Sequence, residues 1–186
     1  ASTAAIETIK AYIEEHIYDI ELEEEQIKEL IRGAIIDANK FIYQKAMREE
    51  IYKGMGTTVI LAIVYRNRVY IGHVGDSRLY RIRKSIIRQL TKDHSYVQAL
   101  LKEGSITKKE AEHHPQKNIL LKVVGCEPYI EPDILVKGFI KDDILLMCTD
   151  GLTNMIPCKE IYEIVVEGKD DLKNTCNKLV NIANEN

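Results

Sequence analysis

Three short stretches set small residues and polar or acidic ones beside apolar runs. They are Gly54-Met55-Gly56-Thr57-Thr58, Gly72-His73-Val74-Gly75-Asp76-Ser77-Arg78 and Cys148-Thr149-Asp150-Gly151-Leu152. Strand ends of this kind expose reactive groups on a rigid scaffold. In the third stretch Asp150 follows the apolar run Ile144 to Cys148, and Gly151 leaves room for a cation or a water to approach the backbone. Hard cations such as Mg²⁺ and Mn²⁺ take carboxylate oxygens presented in this way. Asp-Gly is also an ordinary turn, and Gly75-Asp76-Ser77-Arg78 equally fits a turn whose Asp accepts backbone N–H groups, so each motif alone leaves both readings open.

The remaining candidates read as structure. His113 and His114 are adjacent, with no further ligands at zinc spacing, and sit among Lys108, Lys109, Glu110 and Glu112 in a surface segment. Cys126, Cys148, Cys158 and Cys176 are widely spaced, with no C-x-x-C pair, and are expected as reduced thiols. Within its apolar run Cys148 behaves as a small hydrophobe.

The elements that must position these motifs follow from periodicity. Ala4, Ile6, Ile9, Ile13 and Ile17 recur at helical spacing, and a longer helix is expected from Glu23 to about Tyr52, with Ile27, Leu30, Ile31, Ala34, Ile35, Ala38, Phe41 and Ile42 on one face. The period then becomes that of strands: Thr57 to Tyr65 and Arg68 to Val74 around Arg66-Asn67, then Arg78 to Arg83 and Ile86 to Leu90 around Lys84-Ser85. Such short links predict one antiparallel meander of these strands. A helical excursion follows, with a helix around Ser95 to Lys102, a stop at Gly104 and a capping pair Thr107 and Glu110. Strands return at about Ile130 to Val136 and at Ile144 to Cys148, with a turn at Lys141-Asp142-Asp143, and helical spacing resumes after Pro157.

The bulk numbers exclude several classes. The 186 residues are 45% hydrophobic, enough for one domain with a real core, and the 26 basic and 29 acidic residues are too balanced for a nucleic-acid-binding stripe. No run approaches the ~20 apolar residues that cross a bilayer, and the first residues lack the basic-then-apolar order of a signal peptide. A cytoplasmic protein is expected.

In chain order, Gly-Met-Gly-Thr-Thr (Gly54 to Thr58), Gly-His-Val-Gly-Asp-Ser-Arg (Gly72 to Arg78), Leu-Thr-Lys-Asp-His-Ser (Leu90 to Ser95), His-Pro-Gln-Lys-Asn (His114 to Asn118) and Cys-Thr-Asp-Gly-Leu (Cys148 to Leu152) closely resemble the bacterial branch of the type 2C, or PPM, protein phosphatases. The resemblance spans essentially the whole chain. It implies an α+β fold, an α-β-β-α sandwich of two antiparallel sheets flanked by helix pairs. It also implies a single domain over 1–186 with a flap at about 97–122. The implied activity is hydrolysis of phosphoserine and phosphothreonine in proteins by a water activated between two Mg²⁺ or Mn²⁺ ions, with a third ion near the flap in bacterial members. By position, Asp150 matches an aspartate of the paired metals and Asp76 the aspartate that joins it at the third. Asn118 falls where related phosphatases carry a flap serine.

No catalytic residue of that family is retained with the chain. The phosphate-binding arginine and the Asp-Gly-Met-Gly-Gly segment would precede Ala1, and a Gly-x-Asp-Asn strand would follow Asn186. The fold is therefore expected to be incomplete at both ends, and the chain by itself inactive. The alternative is a non-catalytic phosphatase-like binding or regulatory domain. Expected partners are phosphorylated proteins, a serine/threonine kinase and its substrates, with no nucleic acid and no membrane span.

Overall fold

Two helices form where apolar residues recur every three and four positions, α1 (Ser2–His16) and α2 (Glu24–Arg48). This computed structural model describes residues 1–17 and 21–186. A reciprocal capping box opens α2, in which the Gln26 side chain accepts the Glu23 N–H at 2.7 Å and the Glu23 side chain accepts the N–H of the third helical residue. Its inner face, Ile27, Ile31, Ala34, Ile35, Ala38 and Ile42, is wholly buried, each isoleucine contributing about 1.5–3 kcal/mol by leaving water. The helix is shorter than its expected end near Tyr52. Ile42 is its last buried residue, Met47 and Ile51 stay exposed, and with no apolar anchor the chain turns extended at Glu49 and makes one 3₁₀ turn over Glu50–Tyr52.

Six strands follow in two antiparallel sheets: β1 (Val59–Tyr65), β2 (Arg68–Val74), β3 (Arg78–Arg83), β4 (Ile86–Gln89), β5 (Asp133–Gly138) and β6 (Ile144–Cys148). Contacts gather the described residues into two compact units, Ala1–Asp76 with Asp93–Ile140, and Ser77–Lys92 with Lys141–Asn186.

The first unit holds α1, α2 and the sheet β1-β2-β5. The expected hairpin forms with Val59 opposite Val74 and Tyr65 opposite Arg68, turning through Arg66 at φ 51°. β5 pairs on the other side of β2, Tyr70 opposite Val136. It starts at Asp133, later than the expected Ile130, which is buried in the core formed with α1, α2, Val59, Tyr70, Val74 and Val124. Helix and sheet approach closely at Gly72, where a Cβ would lie 2.3 Å from Ile31 Cγ2 and 2.6 Å from Ile35 Cδ1. Buried Asn39 pins the following loop to α2: its Nδ2 donates to the Glu127 carbonyl at 3.0 Å and its Oδ1 accepts the Gly125 N–H at 2.7 Å.

The helical excursion belongs to this unit and carries α3 (Tyr96–Glu103) and α4 (Lys108–Glu112). Its caps are those expected. Ser95 accepts the Gln98 N–H, Gly104 closes α3 at φ 76°, and Thr107 with Glu110 makes a capping box.

The second unit holds the sheet β4-β3-β6 with α5 (Asp150–Thr153), α6 (Cys158–Glu167) and α7 (Leu172–Glu185). Ile82, Ile156, Ile161, Ile164, Val165 and Leu179 form its core. The Arg83 guanidinium grips Asp143 at two points, Nε to Oδ1 and Nη2 to Oδ2, each 2.6 Å. The Asp143 side chain is 1% exposed, so the fork matches a carboxylate removed from water.

The predicted single meander is not what forms. β2 and β3 lie in different sheets, because Gly75 at φ +107° redirects the chain between them. Likewise the turn at Lys141-Asp142-Asp143, with Asp142 at φ 70°, links strands of different sheets and closes no hairpin. The α+β class and the two antiparallel sheets stand as expected. No helix among the described residues is long and apolar enough to cross a membrane.

Candidate functional site

Asp76 and Asp150 lie in different units, on very different backbones. Asp76 follows the end of β2 on a bend and is half-buried. The residue before it fixes that bend. Gly75 has φ +107°, and a Cβ there would lie 2.3 Å from Thr58 Cγ2 and 2.7 Å from Thr58 Cβ, so both conformation and space demand glycine. The Gly75 N–H donates to His94 Nδ1 at 3.1 Å, and the Gly75 carbonyl accepts the His94 N–H at 2.8 Å.

His94 is in turn enclosed. Its side chain is 10% exposed, and its Nε2 lies 3.2 Å from Asp133 Oδ2. This is a close polar contact that falls short of a well-formed hydrogen bond. Asp133 Oδ1 accepts from Lys122 Nζ at 3.1 Å, and Lys122 also donates to the Glu131 carbonyl. Partial burial opposes ionisation of Asp133, but His94 and Lys122 outweigh it and hold the carboxyl below the ordinary aspartate range. The buried His73 ring packs on His94, centroids 4.7 Å apart and planes tilted by 32°.

Asp150 opens the four-residue α5 straight after β6, as the apolar run Ile144 to Cys148 predicts, and is exposed. Its carboxylate accepts from Asn154 Nδ2 at 3.3 Å and its carbonyl accepts the Asn154 N–H at 2.8 Å. A Cβ on Gly151 would meet only Thr149 Oγ1 at 3.4 Å, so the backbone beside Asp150 is open.

Of the other candidates, Asn118 is exposed in a turn of the excursion. His114 Nδ1 accepts the Gln116 N–H at 3.1 Å. All four cysteines are free thiols; Cys148 is half-buried in β6, and burial raises the Cys158 thiol against the pull of Arg78. A raised thiol is a poor nucleophile. Among the described residues no group of three or more His, Cys, Asp or Glu side chains could hold a metal ion. The carboxylates therefore have the right chemistry for a hard cation but do not, by themselves, make a site for one.

Sequence reading missed the roles of His94, Lys122 and Asp133. His94 was visible inside Leu-Thr-Lys-Asp-His-Ser, just ahead of the cap Ser95, which is where a side chain is fixed by the element that follows. Asp133 carried no local signal.

Residues 1–182 match the family Protein phosphatase 2C. Serine/threonine phosphatase stp of Listeria monocytogenes is 46% identical over 141 residues, covering 76% of this chain and 56% of that protein. The crystal structure of serine/threonine phosphatase Stp1 from Staphylococcus aureus superposes with a TM-score of 0.88 at 35% identity, over 100% of this chain and 71% of that one. The catalytic domain of the phosphatase PstP, crystallised with 2 manganese ions, matches with a TM-score of 0.80 at 26% identity, over 97% of this chain and 74% of that one. The chain spans little more than half the length of the curated relatives it matches.

Proposed function

Because the chain belongs to the protein phosphatase 2C family, we propose that it is the scaffold of an enzyme that hydrolyses phosphoserine and phosphothreonine in proteins with a divalent metal, Mn²⁺ or Mg²⁺. The observation that carries this reading is the family match across residues 1–182. In it, the 186 residues act as one phosphatase-like domain with a flap over about 97–122. Its partners are phosphorylated proteins of the cytoplasm, and a serine/threonine kinase with its substrates supplies them.

Asp150 is the residue of this chain that would hold one of two paired cations, and Asp76 one that would hold a third. When bound, such cations lower the pKa of a water and neutralise charge on the transferred phosphoryl group. This chain's own contribution is positional: β6 and α5 present the Asp150 carboxylate to solvent, and the clamped Gly75 fixes the backbone of Asp76. Since one or two carboxylates cannot strip the hydration from two divalent ions, this chain alone should bind Mn²⁺ weakly.

Hydrolysis of p-nitrophenyl phosphate and of a phosphothreonine peptide by the full protein tests the reading. It should require Mn²⁺ or Mg²⁺, and Asp150→Ala should lower the rate roughly a thousandfold, the several kcal/mol expected of a cation at the transferred group. A metal-independent rate, or full activity in Asp150→Ala, sinks it; binding of the peptide without any turnover would mark a phosphatase-like binding domain instead.

A further inference from the structure

An aspartate and a histidine in contact have the composition of a general-base pair, in which the carboxylate orients the imidazole and the far nitrogen takes a proton. The pair Asp133 and His94 lacks that free nitrogen. His94 Nδ1 already accepts the Gly75 N–H, so in the neutral ring the proton sits on Nε2, facing Asp133, and no lone pair remains for a substrate. Both ends of the ring are thus committed to holding other groups in place.

What is held is specific. His94 binds Gly75 twice, through its ring and through its backbone N–H, and Gly75 is the positive-φ residue that aims Asp76. The same His94 gives its carbonyl to the Leu121 N–H at 2.8 Å, and Ser95 bridges Leu120, so it stands at the stem where the flap leaves and returns. Asp133 closes the circuit by binding both sides of that stem, His94 on the outgoing strand and Lys122 on the returning one.

We propose that His94 is a positioning residue for Asp76, fixing the Gly75-Asp76 turn through Nδ1 and joining it, through Asp133 and Lys122, to the stem of the flap. The flap stem and the carboxylate then keep one geometry. The proposal rests on the reading of Asp76 as a metal-binding residue given above.

Two substitutions separate the two ends of the ring. In His94→Asn the amide oxygen falls near the place of Nδ1 and can still accept the Gly75 N–H. In His94→Gln the amide nitrogen reaches toward Asp133, but the acceptor for Gly75 is lost. Each is measured in the full protein under conditions where it keeps wild-type circular dichroism, by hydrogen exchange at Gly75 and by the Mn²⁺ concentration that half-activates hydrolysis, with Asp76→Ala as reference.

In His94→Gln, Gly75 should exchange about tenfold faster, and the Mn²⁺ requirement should rise by about tenfold or more, as for other residues that orient metal ligands. His94→Asn should rescue most of both. Unchanged Gly75 exchange in His94→Gln overturns the clamp whatever the activity does. Faster exchange with an unchanged Mn²⁺ requirement, when Asp76→Ala raises that requirement, overturns the positioning role. An Asp76→Ala protein with the wild-type requirement overturns it from the other side, by removing Asp76 from the metal site, and leaves Asp150 and the phosphatase reading intact.

Discussion

The two candidate aspartates, Asp76 and Asp150, are held by opposite means. Asp76 rests on a backbone fixed from several directions: a positive φ at Gly75, close contact with Thr58, and a histidine bonded to both polar groups of Gly75. Asp150 rests on a four-residue helix, exposed, with a single 3.3 Å contact to its carboxylate from within its own turn. The supporting units differ in the same sense. The first has a wide core built on α2 and buried polar pins such as Asn39; the second has a smaller core and leans on the fork between Arg83 and Asp143. A carboxylate can thus be made available either by fixing its backbone or by leaving its side chain exposed. This chain does one in each unit.

Substitution of the adjoining glycines should break that comparison most sharply. Gly75→Ala forces a left-handed φ on a residue with a Cβ and drives that carbon into Thr58, and should destabilise the protein by about 3 kcal/mol or more in a chemical-denaturation series. A loss under half of that would mean that the bend relaxes freely and that Asp76 is no better fixed than Asp150.

A smaller effect is expected from pH at Asp133 in the first unit. Asp133 has its folded pKa depressed, so its ionised form stabilises the fold above the unfolded value of about 4. That contribution disappears as pH falls through the lower folded value. Asp133→Asn should therefore melt below wild type at pH 6 to 7, and the two melting curves should converge in acid, below about pH 4. A gap in Tm that stays constant with pH would show that the aspartate acts by packing alone.

The smallest change is expected at the other aspartate. Gly151 has open space around it and lies in a helix, so Gly151→Ala should shift stability by less than about 1 kcal/mol, and toward stabilisation. A loss like that at Gly75 would show that the Asp150 turn is as tightly specified as its counterpart.

The sequence was informative wherever a feature is local. The buried face of α2, the hairpin through Arg66-Asn67, the Ser95 and Thr107 caps and the strand leading to Asp150 all follow from spacing and cap chemistry within a few residues. It failed where a short link changes the partner of a strand. Gly75 reads like any turn glycine, yet its φ of +107° sends β3 to a different sheet from β2. The overrun of α2 has a related cause, since Met47 and Ile51 continue the apolar pattern but find no surface to cover. Asp76 and Asp150 stand out in the sequence by their motifs, whereas the partner of His94 does not, because Asp133 lies on a strand paired opposite His73 and no spacing in the chain encodes its approach to His94.

The excursion between His94 and Lys122 is closed at its stem by the Tyr96 N–H to Ile119 carbonyl bond, the Leu121 N–H to His94 carbonyl bond and the Asp133 bridge. These contacts, with the Ser95 cap and buried Val97 beside them, fix its ends at the neck. Doubling the length of such a loop costs only about 0.6 kcal/mol in closure entropy. The largely exposed middle of the segment, residues 102–117, thus has the properties of an exchangeable cassette: insertions, deletions or grafted sequences there leave the neck bonds, the Ser95 cap and buried Val97 in place.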